Sequence, residues 1–196
     1  VAIETSISDL ESQWDSVRLN IDKYKDRGHK IVKGLPAIFS VLDESSVMLS
    51  SLKVSPHHVP FKAQIHEWEL CLSTMSEALE AVSHVQKLWI YLESIFVSSD
   101  DSVNRQLPAE AATFERVDNG IRVVMDQMHQ NPLVKAALCS PTILPELAGM
   151  GKDLESVRKN LEDFLETKRQ AFSRFYFVSN DDVLEVLGCN KDLKTM

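Results

Sequence analysis

Apolar residues recur along this chain at the spacing that α-helices require, and one stretch is far more regular than the rest. Behind Pro60, apolar side chains follow each other every three or four residues up to Phe96, with no Gly or Pro between them. This spacing puts them on one face of a single helix. About 36 residues at about 1.5 Å per residue make a rod of about 54 Å. We predict that its buried seam includes Trp68, Leu72 and Trp89.

Other amphipathic stretches predict a second long helix and several shorter ones. In the second long helix, Leu147, Leu154 and Leu161 are spaced seven residues apart. Gly149 and Gly151 mark a point where this helix could bend. Capping residues, Pro and Gly set the predicted limits of each helix. The predicted helices are 6–14, 36–52, 60–96, 107–128, 132–139, 141–172 and 179–188.

The hydrophobic pattern of residues 17–33 fits either a helix or a β-hairpin. The first half continues the helical spacing, but it also alternates between apolar and polar side chains, which is typical of a strand. A turn-like "DRG" follows at 26–28, and then "HKIVKG" brings two β-branched residues. We favour a hairpin that pairs residues 17–24 with 29–33, because a helix through Gly28 has no strong reason to stop and restart.

The stretch "RQAFSRFYFVSNDDVLEVLG" at 169–188 differs from the rest, because four aromatic residues crowd together between two predicted helices. We predict that "RFYFV" is extended and that Ser179 caps the last helix through an S-x-x-D pattern. On an extended segment, alternate side chains point in opposite directions. Phe175 and Phe177 are therefore predicted to pack into the junction, with Tyr176 facing a partner or solvent.

Candidate hinge or docking residues at this junction carry an aromatic ring, a positive charge or a capping role. Lys168, Arg169 and Arg174 also form a small basic patch there. Its ordinary interpretation is a solvated helix end that complements the helix dipole, and a docking patch is the alternative. The candidate residues are Arg174, Phe175, Tyr176, Phe177, Ser179 and Asp181.

Composition supports an ordered, all-α protein. Of 196 residues, 44% are hydrophobic and 26% are charged, with only 6 Gly and 7 Pro, which is ample for a core and unlike a disordered chain. With the long helices, this predicts an elongated multi-helix bundle of more than about 60% helix, formed by residues 1–196 as a single segment. A polar loop at 97–107 is a candidate sub-boundary. Because the chain begins at Val1 and not at Met, we interpret it as part of a larger protein.

Net charge and cysteine spacing exclude several function classes. A net charge of −8 argues against binding to nucleic acid or to an anionic membrane. No apolar run approaches the roughly 18 residues that indicate a membrane span. Cys71, Cys139 and Cys189 include no CxxC pair, so we expect reduced thiols and neither a disulfide framework nor a zinc ribbon.

No arrangement of residues predicts catalysis, a cofactor or a metal site. "GMGKD" at 149–153 resembles a phosphate-binding loop, but it lacks the first Gly of that motif and has Asp153 in place of Ser or Thr. His57 and His58 are adjacent in a predicted loop with His66 nearby, and no Cys or carboxylate cluster accompanies them. We therefore expect no enzyme activity and no bound cofactor in this segment.

Three stretches of the chain resemble the linker region of dynein heavy chains, and they resemble the axonemal type more than the cytoplasmic type. "YKDRGHKIVKG" followed by "PFKAQIHEWELCL" extends the resemblance, which covers residues 14–188 in order. Ser173 stands where the family usually has Pro. The three stretches are "VQKLWIYLESIF" at 85–96, "RQLPAEAATFERVD" at 105–118 and "LEDFLETKRQAFSRFYFVSNDDVLEVL" at 161–187.

The resemblance implies a helical, arch-like mechanical element without an ATPase site of its own. In that family the element lies N-terminal to a ring of AAA-type ATPase modules, where ATP and Mg are bound, and it bends and straightens across the ring as nucleotide turns over. The expected partners are this ring and other dynein subunits, and the expected location is the cytoskeleton of a ciliary or flagellar axoneme. A free-standing helical scaffold that binds a partner helix in a groove is the alternative.

Overall fold

Helices account for 81% of the residues that the computed structural model describes, which are 2–25, 28–97 and 102–188. The predicted all-α class with one small hairpin is confirmed. Short 3-10 turns lie at Val59–Phe61 and Ser173–Phe177. The helices are α1 (Ala2–Trp14), α2 (Leu35–Val54), α3 (Lys62–Phe96), α4 (Ser102–Gln106), α5 (Pro108–Gln130), α6 (Val134–Leu138), α7 (Ile143–Ala171) and α8 (Asn180–Gly188).

The hairpin joins α1 to α2. Strand β1 (Asn20–Tyr24) pairs in antiparallel register with β2 (His29–Lys33). Gly28, just before β2, has a φ of 76°, in the left-handed region that glycine adopts without strain. The turn predicted at 26–27 lies outside the described residues. The predicted hairpin is thus confirmed, although β1 begins at Asn20 and not at residue 17.

Residues 17–19 pair with a different part of the chain, the segment before α6. The N–H of Leu19 donates to the carbonyl of Pro132 at 2.7 Å, and the N–H of Val134 donates to the carbonyl of Val17 at 3.1 Å. The sequence predicted that α6 begins at Pro132. Because this pairing needs an extended backbone ahead of Val134, α6 begins at Val134 instead.

Contact density divides the chain into two compact units. The first contains Val1–Ser83 and Arg122–Ala148, and the second contains His84–Ile121 and Gly149–Met196, as far as these ranges are described. The stretch 97–107, which the sequence suggested as a loop and a sub-boundary, belongs to the second unit as far as it is described. Its residues Ser102–Gln106 form α4, so the predicted loop is wrong there.

The first unit is held together by contacts between elements that are distant in sequence. Trp14 is fully buried at the end of α1, and its Nε1 donates a hydrogen bond of 3.1 Å to Oγ of Ser45 in α2. The hairpin is tied to α5 through Lys30, whose Nζ lies 2.7 Å from Oδ1 of Asp126. The bond from Lys30 lowers the pKa of the Asp126 carboxyl below its ordinary value.

Helix α2 belongs to the core of the first unit on one side only. Leu42 and Leu49 are buried there, whereas Val47 on the opposite side is 70% exposed. By length and composition α2 is apolar enough to cross a membrane, a test that core helices of globular proteins also pass. Its buried Ser45, bonded to Trp14, places the helix in the core of the unit.

The second unit packs the end of α3 against α5 and α7. Trp89 of α3 is buried, and its Nε1 donates a 2.7 Å hydrogen bond to Oδ1 of Asp118 in α5. The rings of Phe96 and Phe114 stack with centroids 5.4 Å apart. Gly120 of α5 leaves room for the side chain of Met150 in α7, since a Cβ at this position would lie 2.9 Å from the Cε of Met150. Side chains of α3, α5 and α7 thus form one core.

The periodicity of the long helices corresponds closely to their burial. Trp68, Leu72 and Trp89, the residues predicted for the seam of α3, are 6%, 4% and 1% exposed. Helix α7 continues without interruption through Gly149 and Gly151, because each glycine costs a helix only about 1 kcal/mol relative to alanine.

Candidate functional site

The segment between α7 and α8, which we call the joint (residues 169–182), is wound tightly and is not extended. Residues Ser173–Phe177 form a 3-10 turn. The N–H groups of Phe175 and Val178 donate to the carbonyls of Phe172 and Phe175, at 2.9 and 3.3 Å. The prediction that "RFYFV" is extended is therefore wrong. Winding satisfies these backbone groups locally, whereas an extended segment would need a second strand for the same hydrogen bonds.

The tight winding sends the aromatic side chains in directions that alternation did not predict. With about three residues per turn, Phe172, Phe175 and Val178 follow one side of the joint. Phe175 is half-buried, and its ring centroid lies 5.7 Å from that of Phe172. Phe177 lies off this side and is 93% exposed. The prediction that Phe177 packs into the joint is wrong for this reason.

Tyr176 lies on the outer surface of the joint and is held there by α7. Its side chain is 52% exposed, and its hydroxyl donates a 2.8 Å hydrogen bond to Oε1 of Glu166. This hydrogen bond raises the pKa of the Tyr176 phenol above its ordinary value. Tyr176 faces outward as predicted, although Phe177 is the more exposed of the two.

Arg169, in the last turn of α7, holds the joint closed. Its Nε donates to the carbonyl of Phe175 at 3.2 Å, and its Nη2 donates to the carbonyl of Val178 at 3.2 Å. Nη2 also donates to Oδ1 of Asn180, the first residue of α8, at 2.6 Å. One half-buried guanidinium therefore binds α7, the 3-10 turn and the start of α8 together. The planar fork of arginine suits such multiple bonding better than a lysine ammonium does.

The sequence alone assigned this task to the aromatic residues and treated Arg169 as part of a basic patch. Its neighbour Arg174 is exposed, which agrees with the solvated interpretation for that residue. The signal that was missed is the position of Arg169 in the last turn of α7, directly before a tight turn. The last carbonyl groups of a helix and of a tight turn have no backbone partners, and a nearby cationic side chain can satisfy them.

The start of α8 has the cap that the sequence predicted. The Oγ of Ser179 accepts a hydrogen bond from the N–H of Asp182 at 3.2 Å and donates to Oδ2 of the same residue at 2.6 Å. Helix α8 packs against α4, and Val183 and Leu184 are buried. The side chain of Asp181, also named as a candidate, lies outside the described residues.

Truncation of Phe177 should have almost no effect on stability. Because its side chain is 93% exposed, Phe177→Ala is expected to change the free energy of unfolding by less than about 0.5 kcal/mol. The half-buried Phe175 is the matched control, and Phe175→Ala is expected to cost about 1–2 kcal/mol. Urea denaturation of both variants checks this, and the reverse order would mean that the two rings are assigned to the wrong sides.

The described residues form neither a nucleotide-binding loop at 149–153 nor a metal-binding cluster. "GMGKD" at 149–153 lies inside α7, so its N–H groups serve helical hydrogen bonds and do not form a phosphate cradle. Asp153 is paired with Arg116 at 3.0 Å. Within the ranges that the structure describes, no group of three or more His, Cys, Asp and Glu residues could hold a metal ion.

Comparison with known proteins gives the same family over the whole chain. Residues 1–196 match the family model described as dynein heavy chain, N-terminal region 2. The chain is 40% identical over 192 residues to dynein axonemal heavy chain 2 of Mus musculus, which covers 98% of this chain. It is 37% identical over 192 residues to the dynein-1-beta heavy chain, flagellar inner arm I1 complex, of Chlamydomonas reinhardtii, again covering 98% of this chain. The chain spans about 4% of the length of each of these relatives.

Proposed function

The chain belongs to the dynein heavy chain family, and on this premise we propose that it is a mechanical linker element of a microtubule motor. It transmits the ATP-driven conformational change of an AAA-type ring in the same heavy chain into force. The ring is its principal partner, and other dynein subunits are further candidates. The names of the axonemal and flagellar relatives support a location in the cytoskeleton of a cilium or flagellum.

The joint is the observation that carries this proposal. A lever must transmit force through stiff parts that meet at defined angles, because compliance in any part absorbs displacement. Helix α7 has 29 residues and is uninterrupted, and Arg169 ties its end to the turn through two hydrogen bonds and to α8 through a third. Exposed Phe172, Tyr176 and Phe177 on the same joint offer an apolar surface for docking.

ATP and Mg are expected to bind elsewhere in the parent motor. The only Gly-Lys stretch with any likeness to a nucleotide loop in the described chain is helical. We therefore predict that the isolated chain neither hydrolyses ATP nor binds it with micromolar affinity. Isothermal titration calorimetry with Mg-ATP should give no heat of binding, and a saturable isotherm in the micromolar range would overturn this assignment.

The direct test of the linker function is whether the segment changes position with nucleotide. A fluorophore placed at position 47, where Val47 is 70% exposed, can be paired with a second fluorophore on the ring of the full-length heavy chain. We expect two transfer efficiencies that exchange populations between the ATP-bound and ADP-bound states. A single efficiency that is independent of nucleotide would contradict a lever that moves.

The exposed aromatic surface also fits the alternative of a helical scaffold for another protein. The two functions differ in what Phe177→Ala does, because this substitution leaves the fold intact and alters only the surface. A scaffold loses affinity for its protein partner while ATPase and motility of the motor stay unchanged. In a linker, loss of the same surface alters coupling between ring and motility.

A further inference from the structure

Two of the three cysteines are in contact. Cys71 lies in the first third of α3, and Cys139 is the C-cap residue that follows α6. Their Sγ atoms are 3.3 Å apart although 68 positions separate them in the sequence, and both side chains are half-buried. The Sγ of Cys139 also lies 3.9 Å from the carbonyl oxygen of Cys71. Both cysteines belong to the first unit. Both are free thiols, and their wide spacing in the sequence gave no indication that they lie in contact.

Cys71 lines a surface pocket that carries both positively and negatively charged side chains. The pocket has a volume of about 300 Å³. Lys135 of α6 supplies the cation, and its Nζ lies 4.5 Å from the centre of the Trp68 ring. Glu11 of α1 and Glu67 of α3 supply the opposing charges. The lining residues are Glu11, Gln64, Glu67, Trp68, Cys71 and Lys135.

The two thiols are chemically unequal. A hydrogen bond from Cys139, together with the charge of Lys135, lowers the pKa of the Cys71 thiol to about 7 against the opposing effect of burial. The same contact and burial raise the pKa of the Cys139 thiol above its ordinary value. The lowered pKa favours the thiolate of Cys71, which is the nucleophilic form of cysteine. Either sulfur could donate in this contact, and the raised pKa of Cys139 favours this thiol as the donor.

We propose that Cys71 and Cys139 form a peroxide-reactive modification site, with Cys71 as the nucleophile and Cys139 as the resolving thiol. The oxidant is a hydroperoxide small enough to enter the pocket, such as hydrogen peroxide. No property of the motor is required for this site, so the proposal stands apart from the linker function. A redox-reactive thiol that is accessible and lies beside its resolving partner is the arrangement that favours a reversible disulfide.

The chemistry takes two balanced steps. The Cys71 thiolate attacks one peroxide oxygen, the O–O bond breaks, and the leaving hydroxide takes a proton to become water. Cys71 is then a sulfenic acid. Cys139 loses its proton and attacks the Cys71 sulfur, the S–O bond breaks, and a second water leaves. The sum is two thiols and one hydrogen peroxide giving one disulfide and two waters. A small dithiol returns both electrons and restores the pair by thiol–disulfide exchange.

The disulfide would join the first third of α3 to the C-cap of α6. These elements are otherwise linked only through non-covalent contacts such as that of Lys135 with Trp68. Oxidation therefore adds a covalent cross-link between two elements of the first unit that otherwise pack through side-chain contacts. Reduction removes this cross-link.

The first test uses the full-length heavy chain treated with hydrogen peroxide near neutral pH, alkylated, digested and analysed by mass spectrometry. We expect one cross-linked peptide pair that contains Cys71 and Cys139 and that disappears after treatment with a dithiol. Cys189→Ser is the matched control and should leave the cross-link unchanged. Recovery of both cysteines as alkylated thiols, at a peroxide concentration that oxidises other exposed thiols, would overturn the proposal.

The second test separates the two roles. In Cys139→Ser, Cys71 should accumulate as a sulfenic acid that a cyclic 1,3-diketone traps, since its resolving partner is missing. In Cys71→Ser, Cys139 should stay unmodified under the same conditions. Lys135→Met should slow alkylation of Cys71 several-fold at pH 7 and shift the midpoint of its pH profile upward. Equal trapping at both cysteines, or a pH profile that Lys135→Met does not shift, would contradict the assignment of Cys71 as the nucleophile.

Discussion

Replacing Trp89 with alanine is expected to lower the free energy of unfolding by about 3–5 kcal/mol, the range for large aromatic deletions in cores. The side chain is 1% exposed and lies where α3 packs on α5 in the second unit. Its Nε1 also donates a 2.7 Å hydrogen bond to Asp118, which alanine cannot replace. The substitution thus creates a cavity and removes a charge-assisted hydrogen bond at once. Urea denaturation followed by circular dichroism measures the loss.

Two controls separate the cavity from the hydrogen bond. Trp89→Phe keeps most of the volume and removes the N–H, so we expect a cost of about 1–2 kcal/mol. Trp68→Ala makes a comparable cavity in the first unit, where Trp68 is 6% exposed, and should cost about 3–5 kcal/mol. A loss below about 1 kcal/mol for either alanine variant would mean that this side of α3 is available to a partner and is not core.

Replacing Arg169 with alanine is expected to open the joint without unfolding the chain. The substitution removes three hydrogen bonds that a charged donor makes to Phe175, Val178 and Asn180. Hydrogen bonds from charged groups contribute about 1.5–3 kcal/mol where they are buried. Arg169 is only half-buried, so we expect a total local loss of about 2–3 kcal/mol.

Hydrogen exchange measures this opening at individual amides. The N–H groups of Phe175, Val178 and Val183 should exchange about 30- to 150-fold faster in Arg169→Ala, since about 1.4 kcal/mol corresponds to a factor of ten. Arg169→Lys keeps the charge but not the fork, and should give an intermediate effect. Arg174→Ala removes a guanidinium from an exposed position five residues away and should leave the exchange rates of these amides unchanged. Equal exchange in the Arg169 and Arg174 variants would show that the guanidinium does not hold the joint.

The periodicity of the sequence predicted the long helices and their cores because helical burial repeats every three or four residues. Trp68, Leu72 and Trp89 of α3 were predicted to be buried from this spacing alone, and they are. The same logic located the cap at Ser179, because capping depends on residues within one turn of each other. Signals between residues close in sequence were therefore enough to predict the helices, their buried faces and the cap of α8.

The joint could not be predicted in the same way, because its structure depends on backbone winding. A period of two places Phe175 and Phe177 on the same side, and the observed period of three separates them. Two of the three bonds of Arg169 end on backbone carbonyls, which every residue type offers, so the identities of the acceptor residues do not reveal them. The contact between Cys71 and Cys139 likewise arises from the packing of α6 near α3, across a separation of 68 residues.

The central claim is that this segment transmits force through a joint that Arg169 keeps stiff. It is tested most directly by microtubule gliding velocity divided by ATPase rate, measured on full-length motors that carry Arg169→Ala or Arg174→Ala. The account predicts that Arg169→Ala keeps a near wild-type ATPase rate but glides at least about twofold more slowly, whereas Arg174→Ala matches wild type in both. An Arg169→Ala motor whose joint exchanges rapidly, yet whose velocity per ATP hydrolysed equals that of wild type, would contradict it.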